Sequence, residues 1–418
     1  MLPDFEPRLR AFAEVIVRIG LNLQPGQRLL IAEPYELQGV ARTAEVVVEA
    51  VRAGALEAGC VQPAGIEVIW GDGPRLREFA LRSDWRGFGR LVAANAAAMQ
   101  AAVRQGDALL FLQGNQPRLM EGVPAVQVAE LRRIGWEHFG PVAQQLVAGA
   151  TNWTVAPTPS PGWAGLVYAD LPSEQRLAAL WETVFEAMRI PAWSAASGRA
   201  VDNPPGGRVP PQDQAVGAWL AHLEDLQKCR DGLNEKRLRS LRYQGPGTDL
   251  TVALPAGHLW FTAQLSTKAG LPFVANLPTE EVFTLPHRDS ADGSVRVSRP
   301  VNYGGAVIDG ITLEFRRGRV IRAGAEKNEP LLEQLLATDA GAVRLGEVAL
   351  VLRETSLARA GRLFHHPLLD ENASNHIALG EGYGFCLRAP DAVAHNRSLI
   401  HVDLPIDACV TLSKAEPA

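Results

Sequence analysis

The order of apolar and polar positions changes character near the middle of the chain. In the first half, short apolar runs alternate with longer stretches of helical pattern. Arg28 to Ala32 reads as a strand after the Pro25-Gly26 turn, and residues 38–58 follow as an Ala/Val-rich helix. Ile66 to Trp70 reads as a second strand, Asp107 to Leu112 as a third after a long helical segment, and Asn152 to Ala156 as a fourth. Strands separated by helices of this length predict a mostly parallel α/β sheet. The glycine fingerprint of a dinucleotide fold, G-x-G-x-x-G after a strand, is absent, and Gly71-Asp72-Gly73 is a lone turn.

A stretch rich in Pro, Gly and Ser runs from Ser194 to about Gln214 and reads as a linker or inserted loop. A helix with Trp219, Leu223 and Leu226 on one face follows it. Beyond that the pattern mixes strands and helices. Thr248 to Leu254 alternates as a strand, and the runs Ile311–Phe315 and Val320–Gly324 flank a turn at Arg317-Gly318, a hairpin signal. Glu329 to Ala337 is helical, while Glu347 to Leu352 and Leu399 to Ile406 read as strands. The expectation is an α/β N-terminal domain over residues 1–212 and an α+β C-terminal domain over 213–418 that carries the chemistry.

Composition narrows the classes. The chain has 418 residues, a formal net charge of -5 and no basic excess, so nothing electrostatic points to nucleic acid or an anionic membrane. No run approaches 18 apolar residues, and the N-terminus carries Asp4 and Glu6 in place of a basic leader, so a cytoplasmic protein without a membrane span is expected. Cys60, Cys229, Cys386 and Cys409 form no C-x-x-C pair and read as reduced thiols.

The sharpest local feature is His401-Val402-Asp403 inside an apolar strand. Residues two apart share a face, so imidazole and carboxylate project together and need partners, either a metal ion or a hydrogen-bonded core pair. Glu347 opens an apolar run, where a lone Glu usually reads as a solvated strand end. Glu280 and Glu281 lie between Pro278 and Pro286, which suits a positioned ligand or an ordinary turn. His376 follows Asn372, Ser374 and Asn375, and reads as a capping or core histidine. Tyr383 is seven residues on, the same face if the segment is helical, although Gly380 and Gly382 weaken such a helix. There is no G-x-S-x-G, no P-loop and no H-E-x-x-H.

Taken together, Gly245–Leu250, Asn276–Thr284, Asp370–Ser374 and His401–Asp403 resemble the aminopeptidase T / aminopeptidase S family of metallopeptidases, as do Asn152-Trp153, Pro157 and Trp163-Ala164 upstream. The resemblance implies two divalent metal ions held by Glu281, Glu347, His376, His401 and Asp403, an active-site Tyr383, peptide substrates and a homodimer. Three carboxylates and two neutral imidazoles around two divalent ions sum to +1, which a bridging hydroxide brings to zero, and a buried site favours neutrality. Oxygen and nitrogen ligands without thiolate suit zinc, cobalt or manganese. Glu281 is the expected proton acceptor and Tyr383 the expected donor to the tetrahedral oxyanion.

The chain departs from the family at Phe261–Leu265, which lacks a glycine-rich run, at 203–214, and at His365-His366 before Pro367. The first and third of these bear on substrate preference. Two other readings remain at this point. His376, His401 and Asp403 alone would make the 2-His-1-carboxylate triad of a mononuclear iron(II) ring-cleaving oxygenase, and a non-catalytic binding protein could keep the same fold.

Overall fold

A computed structural model describes the protein at every residue except Met1, 34–38, 63–64, 115, 117, 195–198, 201–210, 352–354, 390–394 and 415–418. The chain divides into two compact units. One comprises Met1–Leu119, Ile134–Glu224 and Ala263–Thr279; the other comprises Met120–Arg133, Asp225–Thr262 and Glu280–Ala418.

In the first unit, β1 (Leu29–Ala32), β2 (Ile66–Val68), β3 (Ala108–Gln113) and β4 (Trp153–Pro157) form one sheet in the order β2-β1-β3-β4. Every pairing is parallel, with Leu29 beside Ile66 and Ala108, and Leu109 beside Trp153. All residues of β1 and β3 are buried, which is why these strands read as continuous apolar runs rather than alternating ones. Helices Phe5–Val15, Glu45–Glu57 and Trp85–Gln105 belong to the same unit, each with an apolar buried stripe.

The helix expected over 38–58 begins later than its pattern suggests. Val40–Ala41 pairs in parallel with Trp70–Gly71, a short 3-10 turn covers Arg42–Ala44, and the α-helix starts at Glu45. The Val40 N–H donates to the Ile69 carbonyl at 2.7 Å, a pairing that outweighs local helix propensity. Most of the expected connection at 194–214 lies outside the described residues. A helix at Pro211–Lys236 takes over its end, burying Trp219, Leu223 and Leu226 as their spacing predicts.

The second unit holds two antiparallel sheets. A six-stranded one is built from β5 (Leu238–Gly245), β6 (Thr248–Ala253), β8 (Asp292–Arg296), β9 (Thr312–Arg316), β10 (Arg319–Gly324) and β14 (Cys409–Lys414), in the order β10-β9-β8-β6-β5-β14. Its inner strands alternate buried and exposed positions, the pattern of a sheet with one wet face. The expected hairpin turns at Arg317-Gly318, both in the left-handed region at φ 49° and 74°.

The other sheet has four strands: β7 (Glu281–Thr284), β11 (Leu345–Val351), β12 (His376–Gly380) and β13 (His401–Pro405), in the order β7-β11-β12-β13. Five of the six candidate chemical residues lie on it. Among the described residues no helix is long and apolar enough to cross a membrane, and all four cysteines are free thiols.

Candidate metal centre

Register places the five side chains together. Phe283 pairs with Ala349, which pairs with His376, which pairs with Pro405. Glu347 pairs with Ala378, which pairs with Asp403. Residues directly opposite share a face, as do residues two apart along one strand. Glu281, Glu347, His376, His401 and Asp403 therefore all stand on one face of the four-stranded sheet. Ala349, Ala378 and Gly380 occupy neighbouring positions on that face.

The distances agree with this arrangement. His376 Nε2 lies 3.1 Å from Glu281 Oε2 and 3.3 Å from Glu347 Oε1. His401 Nε2 lies 3.4 Å from Asp403 Oδ1 and 3.9 Å from Glu347 Oε2. Glu281, Glu347 and His376 are almost fully buried, at 5%, 4% and 1% exposed. Two three-residue clusters result, Glu281/Glu347/His376 and Glu347/His401/Asp403, each with ligand atoms within 4.8 Å of one another.

The other ring nitrogen of each histidine decides what these contacts are. His376 Nδ1 is 3.0 Å from the Glu371 carbonyl oxygen, and His401 Nδ1 is 2.8 Å from the Glu381 carbonyl oxygen. A carbonyl only accepts, so both Nδ1 atoms carry the proton, and in the neutral rings both Nε2 atoms point lone pairs at carboxylate oxygens. Glu281 Oε2 and Asp403 Oδ1 are buried and have no hydrogen-bond partner. Acceptors facing acceptors in a buried site need cations between them. Without a metal ion, protons fill that role. Burial pulls His401 down, but Asp403 and Glu347 outweigh it and raise it to about 10. Burial likewise disfavours the charged form of His376, and its contacts with Glu281 and Glu347 reverse this, lifting it well above the usual imidazole range. Burial pushes Asp403 up, yet His401 wins and holds it at about 2. Glu347 is raised, first by burial.

His376 and Tyr383 share no helix, in line with the weakening signal of Gly380 and Gly382. His376–Gly380 is a fully buried strand paired on both edges, and tertiary pairing overrides the local capping pattern before it. Tyr383 still reaches the cluster by another route: its ring lies 5.0 Å from that of His401, centroid to centroid. The Asx-rich segment before His376 serves as a brace, not a helix cap. Asn372 Oδ1 accepts from the Glu280 N–H at 2.6 Å, and Asn375 Oδ1 accepts from the Val351 N–H at 3.0 Å. These bonds fasten the strands that carry Glu281 and Glu347 to the segment preceding His376.

Two glycines matter for the same reason. A Cβ at Gly346 would sit 2.2 Å from the Glu381 carbonyl oxygen, the acceptor of His401 Nδ1–H, and one at Gly380, at φ 102°, would sit 2.1 Å from the Ile400 oxygen. Glu371 is a residue beside the cluster that sequence reasoning did not single out. It is buried beside the cluster, its carbonyl fixes His376, and its carboxyl is raised well above the ordinary range, first by burial and then by Asp403 and Glu281. In the sequence it is only the second of two acidic residues, Asp370-Glu371, that follow Leu368-Leu369. Glu381 acts through its backbone and left no signal at all.

Comparison with known proteins places the chain in a family. The family model for thermophilic metalloproteases, M29, matches residues 5–197 and 208–410. Aminopeptidase T of Thermus thermophilus is 36% identical, over 96% of this chain and 92% of its own length. Aminopeptidase AmpS of Bacillus subtilis is 31% identical over 100% and 98%. The structure of wild-type AmpT from Thermus thermophilus superposes with a TM-score of 0.80 at 35% identity, covering 98% of both chains. The chain belongs to the thermophilic metalloprotease family M29, peptide hydrolases that depend on divalent metal.

Proposed function

We propose that the protein is an aminopeptidase that removes N-terminal residues from peptides using two divalent ions, zinc, cobalt or manganese. Glu281, Glu347 and His376 hold one ion, and Glu347, His401 and Asp403 hold the other. The observation that carries this reading is Glu347, whose two oxygens face different imidazoles, Oε1 towards His376 and Oε2 towards His401. The relatives named aminopeptidase, matched along nearly the whole chain, support the position of cleavage. The iron(II) triad reading uses His376, His401 and Asp403 and leaves Glu281 and Glu347 in the same cluster without a task.

Such ions, when bound, lower the pKa of a bound water towards neutral and polarise the scissile carbonyl. The chain's own residues do the rest. The carbonyls of Glu371 and Glu381 keep both imidazoles in the tautomer that offers Nε2. Glu281, the buried carboxylate beside His376, takes the proton from the attacking water. The Tyr383 hydroxyl donates a hydrogen bond to the oxyanion as the carbonyl becomes tetrahedral. A homodimer in the cytoplasm belongs to the same reading, and light scattering and cell fractionation test it.

The direct test titrates metal-stripped protein with zinc, cobalt or manganese. Leucyl-p-nitroanilide and its N-acetylated form serve as substrates. Activity is expected to peak at two ions per chain, with the acetylated compound untouched. Full activity at one ion, or cleavage of the acetylated compound, sinks the proposal; one iron per chain with oxygen uptake restores the oxygenase reading.

A further inference from the structure

Next to the polar cluster, on the same face of the sheet, lies an apolar one. Phe283 is two residues after Glu281 on β7, so both side chains point the same way. Phe261 pairs with Phe283 across an antiparallel bridge, each donating its N–H to the other's carbonyl at 2.8 and 2.9 Å, which puts Phe261 on that face too. Phe385 meets Phe261 edge-on at 4.9 Å between centroids and stacks on Tyr383 at 5.4 Å with 10° between planes. Phe283, Ala349 and Cys386 are buried beneath, while Phe261, Tyr383 and Phe385 are each only half-buried. The rings thus form a continuous row, His401, Tyr383, Phe385, Phe261, leading from the proposed ligands to an apolar shelf that stays partly open.

We propose that Phe261 and Phe385 form the subsite for the side chain of the substrate's N-terminal residue, and that the protein prefers large apolar residues there, such as leucine and phenylalanine. This rests on the aminopeptidase reading. The scissile carbonyl has to lie beside the ligand cluster and the Tyr383 hydroxyl. The side chain of the residue bearing that carbonyl branches one bond away, so it falls against the next ring in the row, Phe385, and then Phe261. Half-exposed aromatic rings beside a few convergent polar groups are the usual composition of a small-molecule subsite. A carboxylate laid on them would lose water and gain no partner, so acidic N-terminal residues are disfavoured.

The test measures kcat/KM for leucyl-, phenylalanyl-, alanyl- and glutamyl-p-nitroanilide. It uses the metal-loaded wild type and the variants Phe261→Ala, Phe385→Ala and Phe261→Leu. A leucyl-to-alanyl ratio of about tenfold or more is expected in the wild type, as several buried methylenes provide. Each alanine variant should lower that ratio about fivefold or more, while Phe261→Leu, which keeps an apolar side chain, retains most of it. Metal content measured on the same samples separates loss of the subsite from loss of the fold. A flat profile, or a preference unmoved in both alanine variants, overturns the subsite alone. So does a loss that follows the second residue in a series of leucyl dipeptides. Failure to cleave any substrate with a free amino terminus overturns the aminopeptidase reading and the subsite with it.

Discussion

The parallel sheet of the first unit and the four-stranded sheet of the second make an instructive pair. Both have four strands, and both bury nearly every residue of their central strands. In the parallel sheet the buried side chains of β1 and β3 are apolar almost throughout, with Gln113 at the end. In the antiparallel sheet one face is apolar, through Val282, Val348, Leu350 and Ile377, and the other carries three carboxylates and two imidazoles. The first arrangement stabilises by burial alone. The second carries an electrostatic cost that only cations, or protons in their place, offset.

Substitutions sharpen or break this contrast. The largest effect on activity is expected for Glu347→Ala, which removes the carboxylate common to both clusters. The ion supplies several kcal/mol of transition-state stabilisation, so kcat/KM should fall about a thousandfold or more, with ions lost in elemental analysis; a variant that kept two ions and full turnover would refute the shared-ligand reading. Tyr383→Phe should lower kcat about a hundredfold, as loss of one oxyanion donor does, at unchanged metal content. Wild-type turnover would remove Tyr383 from the chemistry.

Asn372→Ala leaves the Glu280 N–H without its acceptor and should weaken metal binding by about tenfold to a hundredfold, read by competition with a chelating dye. No change would show that the brace is dispensable. Protons supply a fourth measurement. His401 is raised from 6.5 to about 10, so in metal-free protein its charge contributes stability in full below pH 6.5, and that contribution is lost as pH rises through about 10. Metal binding must expel this proton, so affinity should rise with pH towards 10. Calorimetry at pH 7.5 in buffers of different ionisation enthalpy should show protons released; none released would mean neutral imidazoles before binding. The smallest effect on activity is expected in the parallel sheet. Leu110→Ala should cost about 2–5 kcal/mol of stability with metal content and room-temperature kcat within about twofold, and loss of ions there would tie the two sheets together.

The same contrast explains how much was legible in the sequence. Strands of the parallel sheet announced themselves because a strand buried on both faces leaves an unbroken apolar run, as at Leu109–Leu112. In the site sheet only His401 and Asp403 showed a shared face, since both lie on one strand. Glu281, Glu347 and His376 come from three other strands, and no local spacing encodes a register set by pairing. They were named on resemblance, and the structure brings Glu281 and Glu347 to 3.1 and 3.3 Å from His376 across strands. Tyr383 too was named on resemblance; local spacing could not place it, because His376–Gly380 is a strand fixed by its neighbours and Tyr383 lies beyond its end. Glu371 and Glu381 orient the histidines through carbonyl oxygens, which every residue possesses, so their identity carried no hint of that role.

Gly346 and Gly380 carry a consequence for how such a protein can change. Neither bears a functional group, yet a methyl at either position would collide with backbone that holds His401 or the strand beside it. In a library randomised across the sheet and selected for activity, these two positions should come back as invariant as the ligands. Ala378, which stands between two ligand strands, tests whether the same intolerance extends to the centre of the ligand face.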